Sequence, residues 1–140
     1  MIVLDSNVLS ELMRPSPEPR VIAWLDRQPP ASIWTTSVTV FEIRFGLHLM
    51  SAGKRRTLYS EGFEKLLEEF DHRIAPFDTE AAEHASALMA SRKLQGRPRE
   101  LRDTMIAGIV LSRRFILATR NIAHFQDVSA ALVDPWTAVA

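Results

Sequence analysis

The first nine residues constrain this chain more than any other stretch. An unbroken apolar run from Met1 to Leu4 stops at Asp5. Ser6 and Asn7 follow, and then a segment of helical spacing through Val8, Leu9, Leu12 and Met13. The run is short, partly β-branched and does not alternate, which suits a strand covered on both faces, as in a parallel sheet. Open parallel sheets bind ligands outside the carboxyl ends of their strands, so Asp5 stands where such a protein does its chemistry. Asp5 also fits as itself a cap or turn former, since Asp is common after strands, and position alone leaves both roles open. Ser6 or Asn7 is expected to cap the helix that follows.

The remaining segments repeat the alternation. Ser16 is expected to cap a helix with Pro17 at its first position. That helix carries Val21, Ile22, Trp24 and Leu25 and is stopped by Pro29 and Pro30. Ala31–Thr36 predicts a second strand, and Ser37 an N-cap for a helix over 38–50 in which Phe41, Phe45 and Leu49 form the buried stripe. Gly53 ends it. Lys54–Arg56 opens a fourth helix with Leu58, Phe63, Leu66, Leu67 and Phe70 as its apolar face. Arg73–Phe77 predicts a short strand, weakened by Pro76. Asp78 starts a helix running to a C-cap at Gln95 and Gly96. A polar loop leads to a sixth helix over 101–114 with Met105, Ile106, Ile109 and Val110 facing inward. Strands follow at Phe115–Thr119 and Ala131–Val133. The expected fold is a three-layer α/β/α domain with a mainly parallel central sheet, one domain over residues 1–140.

Composition excludes some functions. The 140 residues suffice for a real core. Seventeen basic and seventeen acidic residues balance, so a broad electrostatic grip on nucleic acid is not expected, and any such contact is local or shared with a partner. There is no cysteine, hence no disulfide and no thiolate ligand or nucleophile, which fits a reducing cytoplasm. No apolar stretch approaches the roughly 18 residues of a membrane span. The N-terminus lacks the basic region of a signal peptide. His48, His72, His84 and His124 show no zinc spacing. His124 lies close after Asn121, near enough to approach a site there or to serve as a polar turn residue.

Three carboxylates stand out. Asp5 ends the first strand. Glu42 lies inside the helix 38–50 between Phe41 and Ile43, and a Glu there also fits the edge of a solvent face. Asp103 falls in the first turn of the helix 101–114, where it also suits the helix dipole. All three lie at strand-to-helix junctions or on helices beside the sheet, which a right-handed α/β fold can bring to one crevice. Carboxylates facing one another repel and protonate. A hard divalent cation such as Mg²⁺ or Mn²⁺ removes that conflict and suits phosphodiester hydrolysis.

Four stretches carry a resemblance across essentially the whole chain: Val3–Val8, Ser37–Gly46, Arg102–Gly108 and Ala118–Asn121, with Asp134–Trp136 closing it. In order and spacing they resemble PIN-domain ribonucleases, specifically the VapC toxins of bacterial type II toxin–antitoxin systems near the FitB-like branch. The resemblance implies a parallel sheet flanked by helices and a Mg²⁺- or Mn²⁺-dependent endoribonuclease. Its acidic positions fall on Asp5, Glu42 and Asp103, with Asp5 and Asp103 as metal ligands and Glu42 binding metal or orienting water. The fourth position, often Asp, is Asn121, which carries no charge but can orient a water. Asp127, six residues on, is a conceivable substitute. Ser6 and Asn121 are expected as supporting hydrogen-bonders. The resemblance also implies an antitoxin partner that supplies any contact with operator DNA, an RNA substrate and a homodimer. Arg92, Lys93, Arg97, Arg99 and Arg102 are either guides for RNA or a solvated basic loop.

Other classes fit less well. A haloacid-dehalogenase phosphatase needs a second Asp where Asn7 stands. A dinucleotide-binding fold needs a glycine-rich turn where Asp5, Ser6 and Asn7 stand. A non-catalytic PIN-like protein binding RNA or an antitoxin is the rival from a different class.

Overall fold

The computed structural model describes residues 1–138. Five strands, β1 (Ile2–Leu4), β2 (Ile33–Thr36), β3 (Ile74–Ala75), β4 (Ile116–Ala118) and β5 (Leu132–Val133), form one sheet in the order β3-β2-β1-β4-β5. Every neighbouring pair is parallel. Six helices connect or flank them: α1 (Ser6–Leu12), α2 (Pro19–Asp26), α3 (Ser37–Leu49), α4 (Lys54–Phe70), α5 (Thr79–Leu94) and α6 (Leu101–Arg113). Short 3₁₀ turns occupy Pro30–Ser32 and Ile122–Phe125. No helix among the described residues is long and apolar enough to cross a membrane.

β1 is central because it is apolar throughout. Val3 and Leu4 are buried and point to opposite faces. Leu4 joins Val8, Leu9, Trp24, Ile43, Phe63 and Phe70 on one side. Val3 joins Ile106, Ile109, Val110, Leu117 and Phe125 on the other. The second layer needs an unusually close approach of α5 and α6. A Cβ on Gly108 would lie 2.5 Å from the Ala81 carbonyl oxygen and 2.7 Å from the Ala85 Cβ. Only glycine fits there.

Several expected details are corrected. α1 is capped by Asp5, whose Oδ1 accepts the Ser6 N–H at 2.8 Å. α2 starts at Pro19 after Glu18 rather than at Pro17, because Glu11 accepts the Glu18 N–H and holds the chain extended up to that point. Thr36, not Ser37, caps α3, with its Oγ1 accepting from the Thr39 N–H at 3.0 Å. Gly53, at φ +153°, precedes α4 instead of closing α3, which ends at Leu49. Leu58 faces solvent on α4.

The largest correction concerns α3. The helix buries Val38, Thr39, Ile43 and Leu47 against the core. Phe41, Phe45 and Leu49 form a stripe of the expected period on its outer face, 60%, 48% and 71% exposed. The two phenyl rings lie parallel within 7°, with centroids 6.3 Å apart.

Candidate active site

The chain leaves β1 for β2 on one side and later returns through β4 on the other. That reversal opens a crevice at the carboxyl ends of β1 and β4. Asp5 sits at its floor, 2% exposed, with its backbone N–H donating to the Ala118 carbonyl at 2.9 Å. The buried Thr119 hydroxyl donates to Asp5 Oδ2 at 2.8 Å. Asn7 Nδ2 donates to the same oxygen at 3.4 Å and to Thr119 Oγ1 at 3.2 Å, and the Asn121 N–H donates to Thr119 Oγ1 at 3.0 Å. The Arg120 N–H donates to Asn7 Oδ1, and the Arg120 guanidinium lies over the Trp136 ring, 4.8 Å from its centre. Asp5 Oδ1, bonded only to the Ser6 N–H, keeps acceptor capacity.

Glu42 reaches the crevice from the second turn of α3, and Asp103 from the first turn of α6. Burial, then repulsion from Asp5 and Asp103, pushes the Glu42 carboxyl from 4.5 up to about 7, against the opposing pull of Arg102. Burial also raises Asp5, opposed by its hydrogen bonds from Thr119 and Ser6 and reinforced by Asp103. Burial raises Asp103, which His124 and Arg92 partly offset. The three carboxylates, from stretches far apart in the chain, thus share one electrostatic environment. Glu42 Oε1 is buried without a hydrogen-bond partner.

These donors fit a hard divalent cation. They are all oxygen, Asp103 pushes Asp5 up and both push Glu42 up, and one buried oxygen lacks a partner. Among the described residues, no three His, Asp or Glu side chains enclose an ion by themselves. Mg²⁺ does not require that, since it keeps several waters and takes one or two carboxylates.

The other expected residues divide. Asn121 lies at the crevice rim, exposed, and both it and Ser6 contribute through backbone N–H groups rather than side chains. Asp127 does not substitute for the missing fourth acid. Its two oxygens accept from Arg92 Nε and Nη2, each at 2.7 Å. Arg92 is 2% exposed and so is no guide for RNA. Arg102 stays partly exposed beside Glu100, with its guanidinium 5.9 Å from the Phe45 ring centre.

Sequence reasoning missed Thr119 and Asn7 as supports of Asp5; His124, expected either near the site or as a polar turn residue, stands at the site. His124 Nδ1 lies 3.1 Å from Asp103 Oδ2. The signal for Thr119 was its place at the end of an apolar strand, one residue before the chain turns outward, the same context that marked Asp5.

Residues 2–130 match the PIN domain, and the chain belongs to that family. Within it the chain groups with the toxins of toxin–antitoxin modules. It is 38% identical to the VapC ribonuclease Y4jK of Sinorhizobium fredii, over 97% of this chain and 98% of that protein. It is 34% identical to toxin FitB of Neisseria gonorrhoeae, over 97% and 99%. The fold superposes on a solved structure of FitAB bound to an IR36 DNA fragment with a TM-score of 0.89, at 33% identity, covering 100% of this chain and 99% of that one.

Proposed function

We propose that this protein is a metal-dependent endoribonuclease, the cytoplasmic toxin of a type II toxin–antitoxin module. The observation that carries this is the convergence of Asp5, Glu42 and Asp103 on one crevice with a buried, unpartnered Glu42 oxygen. The ribonuclease name of a relative similar over nearly its whole length supports RNA as the substrate.

Asp5 and Asp103 would hold Mg²⁺ or Mn²⁺; when bound, such an ion would supply positive charge against the phosphate and make a water more acidic. The chain's own residues do the rest. Thr119 and Asn7 fix the orientation of Asp5, and His124 restrains Asp103. Glu42, from the second turn of α3, binds the metal or orients the attacking water. Asn121, uncharged at the rim, orients water without adding to the repulsion.

The partner is a cognate antitoxin that makes any contact with operator DNA. The DNA-bound FitAB complex of the same fold supports this assignment. A groove of about 390 Å³ between α1, α3 and α4 runs from Met50 and Tyr59 past Met13 to Glu42. An antitoxin segment seated there would bring an arginine to the carboxylates, where it competes with the metal. A second copy of the chain covers the exposed stripe of α3.

The uncharged Asn121 favours one alternative, a PIN-fold protein that binds RNA or antitoxin without cutting. Incubating antitoxin-free protein with total RNA, with and without Mg²⁺ or Mn²⁺, separates the two. Metal-dependent fragments absent from Asp103→Ala are expected. No cleavage by folded wild-type protein would establish the binding role.

A further inference from the structure

Arg92 is the most deeply buried cation of the described chain, and nothing in the proposed chemistry uses it. It stands in the last turn of α5, yet its guanidinium spends every nitrogen on other elements. Nε and Nη2 clasp the Asp127 carboxylate in a fork at 2.7 Å. Nη2 also donates to the His124 carbonyl at 3.3 Å, and Nη1 to the Thr104 hydroxyl at 3.0 Å. The Thr104 hydroxyl in turn donates to the Glu100 carbonyl at the start of α6.

The partners have a pattern. Asp127 and His124 bracket the end of the 3₁₀ turn Ile122–Phe125, the segment that leaves Asn121 and carries His124. Thr104 is the residue next to Asp103. One planar cation therefore grips both pieces of chain whose side chains meet at the His124–Asp103 contact. A fork geometry suits this task, because a guanidinium fixes directions that an ammonium leaves free.

We propose that Arg92 is a positioning residue. It locks the Ile122–Phe125 turn onto the first turn of α6 and so sets the placement of Asp103 and His124 in the crevice. The consequence for cleavage rests on the nuclease assignment; the placement itself does not. Misplacing a reacting group by about 1 Å costs on the order of 10²-fold in rate.

The test uses Asp127→Asn, which keeps the shape of a largely solvent-facing side chain but removes the charge from the fork, together with Arg92→Lys. Val21→Ala, in the opposite layer of the core, serves as a control for simple loss of stability. All proteins are assayed well below their melting temperatures. For both clamp variants, kcat is expected to fall on the order of 10²-fold with KM within about twofold of wild type. The control keeps its kcat despite a lowered Tm. In metal-free protein, the His124 ring resonances should shift and broaden in Asp127→Asn and stay in place in the control. A kcat near wild type with unmoved His124 signals would overturn the proposal, as would a rate loss that merely tracks Tm as in the control. If wild-type protein cleaves no RNA, the nuclease assignment fails and the His124 resonances alone decide the clamp.

Discussion

Glu42 shows how burial, reinforced by neighbouring carboxylates, shapes this protein's chemistry. Its ordinary value is 4.5 and it ionises near 7 in the fold, so between those limits the native state holds a proton that the unfolded chain has lost. The stability gained from that proton is fully present below about pH 4.5 and is lost as pH rises through about 7. Metal-free protein is therefore expected to melt at a lower temperature at pH 8 than at pH 5.5. Glu42→Gln should flatten the dependence. Mg²⁺ competes with protons for the carboxylate oxygens of the crevice, so it should raise Tm more at pH 8 than at pH 5.5. Melting curves at the two pH values test this; an identical slope in Glu42→Gln would remove Glu42 from the explanation. Asp5, Glu42 and Asp103 were picked out in the sequence by their places at strand-to-helix junctions or on helices beside the sheet, and by the family resemblance. Thr119 was not, because its partner Asp5 lies 114 residues away and a threonine at a strand end has many ordinary uses.

Among the elements, the α5–α6 pair is the most sensitive to a small change. Gly108 lies so near Ala81 and Ala85 that one methyl group would meet backbone at 2.5 Å. Gly108→Ala raises helix propensity, yet it must force the helices apart and is expected to destabilise by about 1–3 kcal/mol. Urea unfolding reads this directly, and a neutral or stabilising result would mean that α5 yields easily. Because α6 carries Asp103, cleavage should fall further than stability alone predicts. The strands and helices themselves were legible, since buried parallel strands read as apolar runs and Asp78 marks a helix start. Caps were misplaced by one or two residues: Thr36 and Ser37 are both good caps, and only the turn of the backbone out of β2 decides between them. Phe41, Phe45 and Leu49 gave the right period on the wrong face, since periodicity locates an apolar stripe without saying whether the same chain covers it.

At the scale of the whole molecule, that uncovered stripe bears on assembly. Parallel phenyl rings beside an exposed leucine present an apolar surface to water, and a second copy meeting it across a twofold axis would bury both stripes at once. Light scattering of wild-type protein is expected to give a dimer, and Phe45→Glu to give a monomer that stays folded. A variant that remains dimeric would move the contact to another face.

The position of β1 between β2 and β4 also fixes an order of events in synthesis. Of the five strands, the one synthesised first lies in the middle of the sheet, and the neighbour on its far side is formed by residues 116–118. A nascent chain can pair β1 with β2, but it must hold that apolar edge open until the 82 residues from position 37 to Ala118 have also emerged. Until Thr119 arrives, Asp5 has no hydroxyl to orient it, and Asp103 comes scarcely earlier. An interrupted message or a stalled ribosome thus releases a fragment without an assembled crevice. If the proposed nuclease activity holds, it belongs only to a chain carried past Thr119.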